Sequence, residues 1–137
     1  MPSECSPLES PEITLLLPER ACPDPEVTIM VPALNESLTI EEFVDWCLEG
    51  IEKAGVKAEI LIVDSSVDNT AEIAVSRGAR VLKTPKRGLG RAYIDALPVA
   101  RGKYLILGDC DLTYDFREIF PFIEAMRNGA DLVRVCL

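Results

Sequence analysis

The stretch that decides the fold opens with Val27-Thr28-Ile29-Met30-Val31 and closes with Glu59-Ile60-Leu61-Ile62-Val63. Both runs are short, apolar and rich in β-branched residues, the pattern of strands buried on both faces. Between them Ile40, Phe43, Val44, Cys47, Leu48, Ile51 and Ala54 recur at three- and four-residue steps, which predicts one amphipathic helix. Thr39-x-x-Glu42 reads as its capping box and Gly55 as its stop. Strand, helix, strand in that order implies a right-handed crossover between parallel strands.

Working outward, the same alternation continues. Strands are expected at Arg80–Lys83, Tyr104–Gly108 and Asp131–Val135. A second helix is expected from near Asp68 to Gly78, and a third from about Gly90 to Ala100 with its last turn distorted by Pro98. A fourth, capped by Asp115, carries Phe116, Ile119, Phe120, Ile123 and Met126 and stops at Gly129. The repeat predicts an α/β fold, a Rossmann-like three-layer sandwich around a mostly parallel central sheet. In such sheets ligands sit beyond the carboxyl ends of the strands, at a topological switch point.

Composition narrows the chemistry. A chain of 137 residues allows one compact unit and hardly two. Residues 1–26 hold six of the ten prolines and six acids against one base, Arg20, and read as a flexible, acidic, proline-rich extension in which only Ile13 to Leu17 is expected to dock. Residues 27–137 read as the folded domain. The absence of histidine excludes Ser-His-Asp and Cys-His nucleophiles and histidine-ligated zinc. Five cysteines without CxxC spacing point to reduced thiols, and no signal peptide or membrane-spanning run is recognisable, so a cytoplasmic location is expected. A net charge of −9 argues against nucleic-acid binding.

Four strand-end loops carry the chemistry. Pro32-Ala33-Leu34-Asn35-Glu36-Ser37 has no glycine, which excludes a dinucleotide fingerprint and a P-loop; Asn35 and Glu36 also suit a turn and a helix cap. Asp64 ends a buried run, where a carboxylate either accepts hydrogen bonds from a base or ribose or serves the fold. Thr84-Pro85-Lys86-Arg87-Gly88-Leu89-Gly90-Arg91 joins glycines to cations, within a stretch from Arg77 to Lys103 that holds eight bases and one acid. Close backbone approach and positive charge at the ligand end favour phosphate. Gly108-Asp109-Cys110-Asp111-Leu112-Thr113 places two carboxylates two residues apart, a repulsion that a hard divalent cation relieves. Cys110 between them is expected to be a small packed side chain.

Taken in order, Val27 to Glu36, Glu59 to Asp64, Arg87-Gly-Leu-Gly-Arg-Ala-Tyr93 and Gly108-Asp-Cys-Asp-Leu-Thr113 resemble family 2 glycosyltransferases of the GT-A fold. The third and fourth segments look closest to the dolichol- or polyprenyl-phosphate sugar synthases. The resemblance implies that Pro32, Leu34, Glu36 and Asp64 line a nucleotide pocket. It places Asp109, Asp111 and Thr113 around a Mg2+ or Mn2+ ion on a diphosphate, and Arg87, Gly88, Gly90 and Arg91 beside the sugar-diphosphate. The implied reaction is inverting transfer of a sugar from a UDP- or GDP-sugar, with a lipid phosphate at a membrane surface as one acceptor.

Two departures stand out. The loop after Asp64 is one residue shorter than the common pattern, so Ser65 does not obviously replace a second acid. Relatives of this kind run about a hundred residues further, so this chain is expected to be the donor-binding half, with weak or no transfer alone. Two other readings compete. In a haloacid-dehalogenase-like phosphatase Asp109 would be the nucleophile and Asp111 the acid-base, but no lysine follows Thr113 as that chemistry requires. In a non-catalytic domain the same loops would bind nucleotide or a partner only.

Overall fold

The computed structural model describes residues 13–86 and 88–131. Among these residues five strands form one sheet: β1 (Thr14–Leu16), β2 (Val27–Ala33), β3 (Ala58–Asp64), β4 (Arg80–Lys83) and β5 (Tyr104–Leu107). Their order is β1-β4-β3-β2-β5; all neighbours are parallel except β1, which pairs antiparallel with β4. Four helices among the described residues connect or follow them: α1 (Ile40–Ala54), α2 (Thr70–Ser76), α3 (Leu89–Ala96) and α4 (Phe120–Arg127). The sheet is therefore doubly wound. It grows from β2 through β3 to β4, then returns under α3 to place β5 on the other side of β2.

Alternating side chains build a core on each face. Val27, Ile29, Val31, Ile60 and Ile62 pack with Phe43 and Val44 of α1, Ala71 and Ala74 of α2, and Ile123 of α4. Met30, Leu61, Val63 and Leu82 face the other way, against Ala92 and Ala96 of α3. Because both faces of β2 and β3 are covered, their sequences show runs of apolar residues rather than alternation.

Several local expectations hold with physical adjustments. Gly55 closes α1 at φ 64, donating to the carbonyls of Ile51 and Glu52. Pro98 turns the end of α3 into a 3-10 turn, Leu97–Val99. The Asp115 side chain accepts from the Arg117 amide at 2.9 Å, but the turn it caps is a separate 3-10 turn, Phe116–Glu118, and α4 starts after it with Pro121 in its first turn. Thr39 makes no side-chain cap on α1, so the capping box does not form. Leu48, placed on the buried stripe, is 42% exposed. The strand expected at Asp131–Val135 lies outside the described residues.

The run from Ile13 to Leu16 docks on the sheet, as expected of that segment, and contacts continue beyond it at Cys22 and Glu26. Ile13 is buried, β1 zips onto β4 through the register Leu15↔Leu82, and the Arg101 guanidinium donates to the Cys22 carbonyl at 2.6 Å. Further along, Arg127 pairs with Glu26 at 2.5 Å. Thr14 to Leu16 satisfy backbone groups on one side of β4, which a free chain could not do.

One packing contact makes a direct prediction. A Cβ built on Gly50 of α1 would sit 2.2 Å from the Phe116 carbonyl oxygen, so the 3-10 turn lies directly on the helix backbone. Gly50→Ala is expected to lower stability by about 1–3 kcal/mol through overpacking, despite alanine's better helix propensity, as a lower urea midpoint would register.

Candidate functional site

The chain reverses direction across the sheet between β2 and β5, and a cleft of about 320 Å³ opens there at the strands' carboxyl ends. Pro32, Ala33, Leu34 and Glu36 from the β2–α1 loop form one wall with Val63 and Ser65 after β3. Lys86, Gly88 and Ala92 come from the β4–α3 segment, and Asp109, Cys110 and Asp111 from the loop after β5. Four sequence-distant loops thus converge because each follows a parallel strand ending on the same edge.

The loops are stitched to one another. The Asn35 amide donates to Ser66 Oγ at 2.6 Å, the Val67 amide to Asn35 Oδ1 at 3.1 Å, and the Glu36 amide to Thr70 Oγ1 at 3.0 Å. Asn35 (φ 55) and Leu112 (φ 67) are the non-glycine residues with left-handed backbone among the described residues, and both lie in loops bounding the cleft. For leucine that conformation costs on the order of 1–3 kcal/mol, strain that persists where the surroundings hold it in place.

The expected site residues divide as follows. Pro32, Leu34, Glu36, Gly88, Asp109 and Asp111 all line the cleft. Asp111 Oδ1 accepts from both the Thr113 hydroxyl (2.7 Å) and the Thr113 amide (3.1 Å), and these bonds hold its carboxyl below the usual range, so it stays ionised. Thr113 donates both of those bonds and is not on the cleft wall. Asp109 and Asp111 are exposed, whereas Cys110 between them is 2% exposed; burial, then the Glu36 charge, pushes its thiol up to about 12 and keeps it protonated.

Other expectations need correction. Asp64 is fully buried and not on the cleft wall: it shares a sheet face with Ile60 and Ile62, while Val63 and Ser65 face the cleft. Its Oδ1 accepts from Ser66 Oγ at 2.6 Å, and its Oδ2 has no hydrogen-bond partner among the described residues. Burial raises its carboxyl above the ordinary value against the pull of those hydrogen bonds. Arg91 turns to Asp95 one helical turn on, at 3.1 Å, and Gly90 is exposed; neither lines the cleft. Arg87 lies outside the described residues.

Nor are the bases between Arg77 and Lys103 confined to the ligand end. Arg80 and Arg101 serve a buried carboxylate, Glu59, at the opposite end of the strands, and Arg77 pairs with Asp45 on α1. Lys86 is the cation on the cleft wall among the described residues. In the sequence, Lys86 and Ser65 stand out only as members of their loops; Ser65 directly follows β3, whose alternation carries it to the cleft, whereas the loop after β4 brings Lys86 there.

Among the described residues, no group of three or more carboxylates, thiols or imidazoles could hold a metal ion by itself. Two exposed carboxylates on the cleft wall fit the opposite case, a hard cation that keeps part of its coordination for waters and phosphate oxygens.

Sheet order and switch-point cleft are those of the GT-A glycosyltransferase fold. The mannosyltransferase PcManGT of Pyrobaculum calidifontis, solved with GDP-Man and Mn2+, superposes with a TM-score of 0.57 at 30% identity, over 64% of this chain and 28% of that one. The family model for Glycosyl transferase family 2 matches residues 28–136, and the chain belongs to that family. The low-salt glycan biosynthesis hexosyltransferase Agl6 of Haloferax volcanii is 36% identical over 105 residues, 77% of this chain and 25% of that protein. A dolichol-phosphate mannosyltransferase of Pyrococcus furiosus is 30% identical over 116 residues, 78% of this chain and 32% of that protein. The chain therefore spans about a quarter to a third of the length of these relatives.

Proposed function

We propose that the cleft binds the nucleotide diphosphate of a UDP- or GDP-sugar and that the domain from Val27 onward is the donor-binding part of an inverting sugar transferase. The observation that carries this reading is the meeting of Asp109 and Asp111 with Lys86 and Gly88 around one cleft whose far wall is apolar. Pro32, Ala33, Leu34 and Val63 offer that wall to the base and ribose, and Glu36 and Ser65 offer it hydrogen-bonding groups. Lys86 and the start of α3 lie where a diphosphate would sit. Asp109 and Asp111 would hold Mg2+ or Mn2+ there, and the cation would supply charge stabilisation for the departing nucleoside diphosphate.

The acceptor proposed is a polyprenyl phosphate, which would bring the protein to a cytoplasmic membrane surface. The dolichol-phosphate mannosyltransferase among the relatives supports it. No described helix is long and apolar enough to cross a membrane. In transfer with inversion, the acceptor oxygen forms its bond to the anomeric carbon on the face opposite the leaving diphosphate, and the two charged loops stabilise the charge that accumulates on that leaving group. A phosphatase using Asp109 as nucleophile has no support in the family the chain belongs to.

Calorimetric titration of the chain with UDP and with GDP, each with and without MnCl2, tests the donor assignment. One nucleotide is expected to bind at least roughly tenfold more tightly with the metal present. Equal binding with and without metal, or none at all, would overturn it.

A further inference from the structure

Thr39 occupies the first capping position of α1, where its hydroxyl would ordinarily accept from an amide of the first turn. It makes no such bond. Its Oγ1 lies instead 3.1 Å from the carbonyl oxygen of Cys110, 71 residues away, and 3.2 Å from Glu36 Oε2. The Glu36 carbonyl oxygen is a third acceptor at 3.5 Å. One hydroxyl has one proton to give, the Cys110 carbonyl is the nearest of the three, and all three belong to residues of the cleft wall. Cys110 is gripped from its other end as well, its Sγ 3.5 Å from the Pro32 carbonyl oxygen. Beneath the same loop, Gly108 leaves room for the Phe116 ring: a Cβ there would be 2.7 Å from Cζ.

The pattern along the loop is exposed Asp109, buried Cys110, exposed Asp111. Pinning the middle residue through its carbonyl and its sulfur fixes the pitch of both flanking carboxylates relative to Glu36 and Pro32. A binding constellation tolerates only about 0.5 Å of play, so such a pin has functional leverage out of proportion to its energy. A helix that gives up its side-chain cap breaks a local rule, and such breaks concentrate at functional sites.

We infer that Thr39 is a positioning residue for cation and diphosphate binding, acting with Cys110 as a clamp that holds Asp109 and Asp111 in register with the β2–α1 loop. The inference rests on the reading that those two acids hold a cation, and it assigns a role to a residue outside the cleft wall. Valine at position 39 keeps the shape and removes the donor; serine keeps the donor.

Two measurements on Thr39→Val and Thr39→Ser test it. Site-resolved thiol labelling by mass spectrometry reads the clamp without any ligand. Cys110 is expected to label at least roughly tenfold faster in Thr39→Val than in wild type, with Cys47 unchanged and Thr39→Ser within about twofold of wild type. Calorimetry with UDP or GDP reads the consequence. Thr39→Val is expected to lose about tenfold in Mn2+-dependent affinity with metal-free affinity unchanged, and Thr39→Ser to restore it. Unchanged Cys110 labelling in Thr39→Val overturns the clamp. Faster labelling with unchanged metal-dependent affinity overturns the positioning role. If wild type binds neither nucleotide in a metal-dependent way while labelling responds as expected, the donor reading fails and the clamp stands as a loop anchor without that role.

Discussion

Glu59→Ala is expected to lose about 3–5 kcal/mol of folding stability, a large share of the roughly 5–15 kcal/mol available to a domain of this size. Glu59 is 5% exposed and Arg80 7% exposed, with Arg80 Nη1 2.8 Å from Glu59 Oε1. The carboxylate also accepts from Thr28 Oγ1 at 2.7 Å, the Arg101 amide at 2.8 Å and Arg101 Nε at 3.0 Å. The cost comes less from the lost attraction than from the buried guanidinium left without its anion, since the Val99 carbonyl at 2.9 Å cannot neutralise it. Urea denaturation of Glu59→Ala beside wild type measures the effect; a loss under about 1 kcal/mol would sink the account.

The same group gives a pH signature. Burial pushes the Glu59 carboxyl up, but the hydrogen bonds from Thr28, the Arg101 amide and Arg80 outweigh it and leave the group below its ordinary value of 4.5. A carboxyl lower in the folded than in the unfolded chain contributes stability above the unfolded value, and loses it as the pH falls through the folded one. Wild type is thus expected to shed this contribution below about pH 4.5. Glu59→Gln, already weaker at neutral pH, is expected to show a shallower acid limb.

The second large effect is on binding. Asp109→Asn with Asp111→Asn is expected to reduce Mn2+-dependent nucleotide affinity by roughly a hundredfold while leaving the urea midpoint within experimental scatter. Both carboxylates are exposed, so neither change strands a buried partner. The Asp111→Asn side chain would keep an oxygen for the Thr113 amide and hydroxyl, preserving the turn and isolating the loss of charge. Asp111→Ala removes that acceptor too and is expected to perturb the turn at Leu112, whose left-handed backbone is held there. Wild-type affinity in the double variant would refute the assignment of the cation to these acids.

Much of the fold is legible in the sequence because it depends on local chemistry. Two apolar runs around one helical stripe specify β2, α1 and β3, and Gly55 and Pro98 act through their own backbone preferences wherever they stand. The acid pair after β5 and the glycine-free loop after β2 are readable because parallel strands deliver their following loops to a single edge. Thr39 has the local signature of a cap, but its actual partner is Cys110, 71 positions on. The cationic stretch has the local signature of a phosphate site, but Glu59 draws Arg80 and Arg101 to the far end of the strands, across 21 and 42 residues.

What the amino-acid order settled alone was the α/β layering, the parallel crossovers and the carboxyl-end edge on which the acid pair lies. Only the folded chain decided which members of each loop meet across the cleft. Strands buried on both faces are apolar throughout, so nothing in their composition marks which parity faces the ligand. Val63 and Ser65 turn toward the cleft and Asp64 away from it because of the layer each packs against. That choice belongs to the covering helices, and it exists only once they have docked.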